Sequence, residues 1–190
     1  MNNKEKMKQI AADWFQHHEI DLHVSDVDGK TGVEILRWKK KDTWAYFVEY
    51  IARKNTLMVR GDIGEAVYCW SSPISLEWVA GLDLQYFHGK CQASEWGRMT
   101  QCYEWDKEKA KKRIFEHFKD ERSCKKYHDF LEAIDDDYSK ESLDAFCHTG
   151  DAYGILGDAW WEWFAGCGGE IPWRIAGHLV GLKMAFGKGP

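Results

Sequence analysis

The chain has 190 residues, of which 44% are hydrophobic and 15% aromatic, with eleven Trp, three Pro and a formal net charge of −5. That aromatic content excludes an intrinsically disordered chain, and no apolar run approaches the roughly 18 residues that cross a bilayer. Residues 1–6 are polar and offer no apolar signal core. The six Cys contain no CxxC pair, so they read as reduced thiols of a cytosolic protein.

The elements follow in chain order. Met7, Ile10, Ala11, Trp14 and Phe15 share one helical face, which predicts an N-terminal helix. From His18 the period becomes two. Ile20, Leu22 and Val24 alternate with Asp21 and His23, and Asp28-Gly29 marks a turn. Val33 and Ile35 continue the alternation, and residues 44–51 are rich in aromatic and β-branched types. Lys54-Asn55 marks another turn before Leu57-Met58-Val59, and Ala66-Val67-Tyr68 follows. This predicts an antiparallel meander of four or five strands.

After Trp70 the period is helical again. Ser75 is a cap for a short helix to Leu82, and residues 84–93 read as a second helix. Residues 106–122 make a charged helix with Ile114, Phe115 and Phe118 as its contacts. Tyr127, Phe130, Leu131, Ile134 and Tyr138 define an amphipathic face, and Ala152, Leu156, Ala159, Trp160, Trp163 and Phe164 define the next. Gly166, Gly168 and Gly169 stop that helix. Pro172 then opens a last helix on Ile175, Leu179, Leu182 and Phe186. The fold class is therefore α+β: an N-terminal helix, an antiparallel sheet, and a helical C-terminal half packed on it. The expected division is a sheet domain at 1–105 and a helical region at 106–190, or both as one domain.

The mild net charge conceals a strong segregation. Residues 1–105 carry 13 basic and 15 acidic side chains, residues 106–126 carry 9 and 5, residues 127–170 carry 1 and 11, and residues 171–190 carry 3 and 0. The −10 block contains Asp129, Glu132, Asp135, Asp136, Asp137, Glu141 and Asp144, with Asp129, Glu132 and Asp136 on one stripe of a helix. Such a face either serves solubility or stands in for nucleic-acid phosphates on a basic groove. Trp161 lies off the apolar stripe and is the surface aromatic that would anchor a partner.

Other chemistries have weaker signals. The basic run Lys107, Lys109, Lys111, Lys112, Arg113, Lys119, Arg122, Lys125 and Lys126 could contact RNA, but the interleaved acids Asp106, Glu108, Glu116, Asp120 and Glu121 favour an ordinary charged helix. His17, His18 and His23, Cys124 with His128, and Cys147 with His148 supply at most two ligands each at any local spacing, so no metal or other cofactor is expected. Asp62, Glu65, His88, Glu95 and Arg98 form the densest polar stretch for an enzyme acting on nucleic acid or a nucleotide. No nucleophile elbow, phosphate loop, HExxH or dinucleotide fingerprint accompanies them.

Three blocks carry a resemblance. They are Gly61-Asp62-Ile63-Gly64-Glu65-Ala66-Val67-Tyr68-Cys69-Trp70 with Ile74-Ser75-Leu76-Glu77-Trp78, then Lys90-Cys91-Gln92-Ala93-Ser94-Glu95-Trp96-Gly97-Arg98, and finally His178-Leu179-Val180-Gly181-Leu182-Lys183-Met184-Ala185. Together they resemble a family of small proteins of bacteriophages and prophages of Firmicutes. The resemblance covers about residues 55–105 and the C-terminus, and it brings no catalytic residues with it. It implies action in the bacterial host cytoplasm, and a counter-defence role such as an anti-CRISPR protein. The implied partner is a host protein, a Cas effector or its guide-RNA complex, with no membrane involved. The acidic stretch lies outside the three blocks.

Overall fold

The computed structural model describes residues 3–26, 32–94, 97–98, 103–118, 125–135, 137–149, 151–157, 164 and 167–189. It is an α+β protein, as the periodicities require. Its contacts divide it into two compact units, 1–102 with 171–190, and 103–170. The boundary differs from the one the sequence suggests, because the last helix belongs with the sheet and not with the helical region.

The first unit opens with α1 (Asn3–Asp13), which buries Met7 and Ile10. Five strands follow as an antiparallel meander: β1 (His18–Ser25), β2 (Val33–Lys40), β3 (Val48–Arg53), β4 (Thr56–Gly61) and β5 (Ala66–Cys69). Alternation sets their two faces. Leu36, Trp38, Val48, Tyr50, Ala52, Leu57, Val59, Ala66 and Tyr68 are buried on the inner face. The outer face carries Arg37, Glu49 and Arg60 as one cross-strand row, and Ile35, Ile51, Met58 and Val67 as the next.

Two more strands extend this sheet, β6 (Cys91–Ser94) and β7 (Gly97–Arg98), so among the described residues it has seven strands, more than the four or five expected. The expected helix over 84–93 is correspondingly shorter. It splits into α3 (Leu84–His88), which ends at Gly89, and the start of β6. Ahead of it, α2 (Leu76–Ala80) is capped as expected: the Ser75 hydroxyl accepts from the Trp78 backbone N–H at 3.2 Å.

The C-terminal helix α8 (Trp173–Ala185) buries every residue from Ile175 to Leu182. It packs against α1, α2, α3 and β2. Gly177 and Gly181 make this close approach possible. A Cβ on Gly181 would stand 2.5 Å from the Tyr50 hydroxyl, and one on Gly177 would stand 2.6 Å from the Trp14 ring. Helix, sheet and α8 share one hydrophobic core.

The second unit is an insertion between β7 and α8. Its ends meet in a two-strand ribbon of β8 (Glu104–Trp105) and β9 (Gly169–Glu170). Between them lie α4 (Lys107–His117), α5 (Lys125–Ala133), α6 (Lys140–Cys147) and α7 (Asp151–Leu156). These helices enclose a separate core with Ile114, Phe118, Phe130, Ile134, Leu143, Phe146 and Phe164 at its centre. Phe130 contacts Phe146 edge-to-face at 5.2 Å, a favoured geometry for aromatic pairs. Among the described residues no helix is long and apolar enough to cross a membrane.

Candidate functional site

The acidic stretch does not form one continuous helix. α5 ends at Ala133, and Asp135 takes a left-handed backbone conformation (φ 51°). Aspartate tolerates that conformation better than most residues. Asp137 then organises the restart. Its carboxylate accepts from the Ser139 backbone N–H at 3.1 Å and the Ser139 hydroxyl at 2.6 Å, while Ser139 caps α6. Lys107 of α4 donates to the same carboxylate at 2.8 Å. The hydrogen bond from Lys107, aided by Ser139, holds the Asp137 carboxyl down at about 2. Asp137 is therefore a structural joint, and its charge is already answered by a lysine.

The remaining acids stand outward. Asp129 and Glu132 sit one turn apart on α5, and Asp151 opens α7. With Lys126, Ala133, Gly154 and Ile155 they line a concavity of about 570 Å³. Asp129 is half-buried, whereas Glu132, Asp135, Glu141, Asp144 and Asp151 are exposed. Among the described residues, ion pairs engage Asp137 with Lys107 and Glu170 with Lys109. Among the described residues none engages Asp129, Glu132, Asp135, Glu141 or Asp144. Asp136 and Trp161 lie outside the described residues, so the stripe through Asp136 and the Trp161 anchor are not placed.

The basic run is partly consumed inside its own unit. Lys109 donates to the Gly169 carbonyl at 2.8 Å and to the Glu170 carboxylate at 3.0 Å, fastening α4 to the ribbon. Lys111 lies 5.5 Å from the Tyr138 ring centre, and Lys112 reaches Glu116 only at 4.0 Å. With Lys107 on Asp137, two lysines of the run fasten the fold, while Lys111, Lys112 and Arg113 remain exposed on α4.

The polar set suggested for catalysis occupies different places. The Asp62 carboxylate accepts from the Tyr46 backbone N–H at 2.8 Å, in the loop after β4. His88 is buried in α3, 1% exposed. Glu65 borders a shallow depression of about 440 Å³ on the outer sheet face, floored by Ile51, Met58 and Val67. Glu95 and the Arg98 side chain lie outside the described residues. Burial pushes the Cys147 and Cys167 thiols up to about 11, which keeps these two protonated at neutral pH. Among the described residues no three His, Cys, Asp or Glu side chains meet as a metal site.

Two polar clusters escape sequence reading because their members come from distant positions. On the outer face the Glu49 carboxylate, 4% exposed, receives Arg37 Nη2 at 2.7 Å on one oxygen and Arg60 Nε at 2.6 Å on the other. Burial pushes its pKa up, but the hydrogen bonds from Arg37 and Arg60 prevail and hold it below the ordinary glutamate value. In the core, the Tyr68 hydroxyl lies 2.8 Å from His178 Nδ1, and His178 Nε2 lies 3.3 Å from the Gly64 carbonyl. A carbonyl only accepts, so Nε2 carries the proton and Nδ1 accepts from Tyr68. Burial lowers His178 to about 4 and keeps it neutral. The only local trace of either cluster is the alternation that puts Arg37, Glu49 and Arg60 on the polar side of their strands.

Comparison with protein-family models, with curated proteins and with solved structures finds no match for this chain.

Proposed function

We propose that the chain is a stoichiometric inhibitor. Its acidic face, on α5 to α7, occupies the nucleic-acid channel of a host defence protein, a CRISPR effector nuclease or its guide-RNA complex. The carrying observation is the group of outward carboxylates at Asp129, Glu132, Asp135, Glu141, Asp144 and Asp151 on a unit with its own core. Fixed negative charges on rigid helices pre-pay the ordering that a flexible acidic tail would pay on binding. They also steer association with a basic surface. The phage setting rests on the resemblance of the three sequence blocks. The engagement of the Asp62 carboxylate by the Tyr46 N–H and the burial of His88 speak for a binder over the alternative of a nucleic-acid-processing enzyme. The use of Lys107 and Lys109 inside the fold speaks against direct RNA or DNA binding by the basic run.

The test is a target-cleavage assay with purified CRISPR effector nucleases and increasing amounts of this protein. Wild type should inhibit near one-to-one stoichiometry. The triple reversal Glu132→Lys, Glu141→Lys, Asp144→Lys should raise the half-inhibitory concentration by about 100-fold. Undiminished inhibition by a folded triple variant would remove the acidic-face mechanism. Turnover of labelled nucleic acid by the protein alone would favour the enzyme.

A further inference from the structure

The outer face of the sheet in the first unit is ordered into rows that run across the strands, as the register dictates. The middle row is apolar. It takes Val24, Ile35, Ile51, Met58, Val67 and Ala93, one from each of β1 to β6. Val24 is 48% and Met58 43% exposed. Ile51, Met58 and Val67 floor the depression of about 440 Å³. Single apolar side chains are ordinary on a surface, but a contiguous row about 24 Å long marks a contact surface.

A charged row lies alongside. Arg37 on β2, Glu49 on β3 and Arg60 on β4 share one register. Glu65 continues it: Val59 pairs with Ala66, and the next position outward sets Arg60 opposite Glu65. Both border the same depression. The signs therefore run plus, minus, plus, minus. Among the described residues Arg60 pairs with Glu49, and no ion pair engages the exposed Glu65. On the far side of the apolar row stand Val33, Arg53, Thr56 and Cys69.

The pattern of charge selects the occupant. A uniformly acidic partner would meet Glu49 and Glu65, and a uniformly basic one would meet Arg37, Arg53 and Arg60. An alternating row of four is instead its own complement when reversed. A second copy laid face to face, about a two-fold axis parallel to the strands between β3 and β4, supplies that reversal. Ile51 then faces Met58 of the second copy, Ile35 faces Val67, and Val24 faces Ala93. Arg37 faces Glu65 of the second copy, and Arg60 stands over its Glu49. Each of these contacts occurs twice. A two-fold axis across the strands would set the charged row on the row of Val33, Arg53, Thr56 and Cys69, where Glu49 alone meets an opposite charge.

Sheets stacked with their strands aligned are a common packing. The apolar row takes the centre of the contact and the charged row its margin, as in protein interfaces generally. We propose that the chain forms a two-fold dimer through the outer face of its sheet, with the apolar rows stacked and the Arg37–Glu49–Arg60–Glu65 row of each copy reversed on that of the other. The three rows cover roughly 500 Å² per copy, near the lower bound for a specific interface, so the dimer is reversible with a Kd of about 10–100 µM. A bulge between Ile20 and Leu22 distorts the edge strand β1, which opposes pairing at that edge and leaves the face as the contact. This surface is independent of the acidic face.

The experiment is sedimentation equilibrium of the full chain from about 1 to about 300 µM. Wild type should pass from monomer to dimer over this range and form nothing larger, because a two-fold contact between faces is closed. Met58→Glu sets a carboxylate against Ile51 of the second copy and should weaken the dimer by at least about tenfold. Glu65→Arg sets an arginine against Arg37 of the second copy and should weaken it by about tenfold, since the substitution enters twice. Glu65→Gln, which removes the attraction without adding repulsion, should weaken it by about threefold. Thermal melts establish that each variant is folded, and Glu65→Arg at the exposed hairpin end decides if Met58→Glu is not. The acidic triple variant should dimerise like wild type, so failure here and failure of the inhibitor reading are separable. A monomer throughout the range, growth beyond the dimer, or a dimer that folded Met58→Glu and Glu65→Arg leave unchanged would each overturn the proposal.

Discussion

His178 concentrates the physics of this core in one side chain. It is fully buried between Tyr68 and the Gly64 carbonyl, and it also bears the backbone carbonyl that accepts from the Tyr50 hydroxyl at 2.8 Å. Burial, with the nearby Arg174 charge adding to it, lowers its pKa from 6.5 to about 4. In the unfolded chain the imidazole takes a proton near 6.5, whereas in the folded chain it resists until about 4. The unfolded state thus binds more protons in this window, so stability falls as pH drops from about 6.5 to about 4. The full difference is roughly 3 kcal/mol. Chemical denaturation at pH 7 and pH 4.5 should show most of that loss in wild type, and a much smaller loss in His178→Gln. Equal losses in both would move the pH dependence elsewhere. This histidine does not stand out in the sequence, because Tyr68 and Gly64 lie more than a hundred residues from His178 and a partner at that distance leaves no local pattern.

At the scale of elements, what the chain announces locally is what it forms. The five-strand meander is legible because period-two alternation and turn residues coincide, and the helix at 76–80 because Ser75 caps it. β6 is misread because Leu84, Phe87 and Cys91 happen to fit a helical spacing across Gly89, where α3 stops. The pairing of Glu104–Trp105 with Gly169–Glu170 is invisible because two-residue strands carry no periodicity. The break between α5 and α6 had a signal in Asp137-Tyr138-Ser139, a helix-start pattern masked by the apolar spacing running through Ile134 and Tyr138. α8 shows what a glycine pair contributes at this level. Gly181→Ala introduces a methyl against the Tyr50 hydroxyl and Phe15, at 2.5 and 3.1 Å. Overpacking of this kind costs about 1–3 kcal/mol. That exceeds the gain in helix propensity of about 1 kcal/mol from replacing glycine. A thermal melt of Gly181→Ala should therefore show a lower midpoint, and a raised one would mean that α8 is not seated this tightly.

Over the whole molecule, the charge segregation of the sequence acquires a structural meaning. The −10 block belongs to one compact unit, and within it the basic run on α4 is partly spent on Asp137 and Glu170. Glu132, Asp135, Glu141, Asp144 and Asp151 stand outward on it, alongside the exposed Lys111, Lys112, Arg113, Lys125, Lys126 and Lys140. The segregation was legible in the sequence, but which of the acids are structural was not, since Asp137 is distinguished only by Lys107 and Ser139. The central claim, that these carboxylates compete with nucleic acid for a basic channel, predicts a characteristic dependence on salt. The most direct measurement is the affinity of the protein for purified CRISPR effector nucleases, taken from about 50 to about 200 mM salt. Wild type should weaken by at least about tenfold over that range, and the Glu132→Lys, Glu141→Lys, Asp144→Lys variant should bind weakly with a much flatter dependence. A tight complex that is insensitive to salt, or one with the same salt slope in wild type and variant, would contradict it.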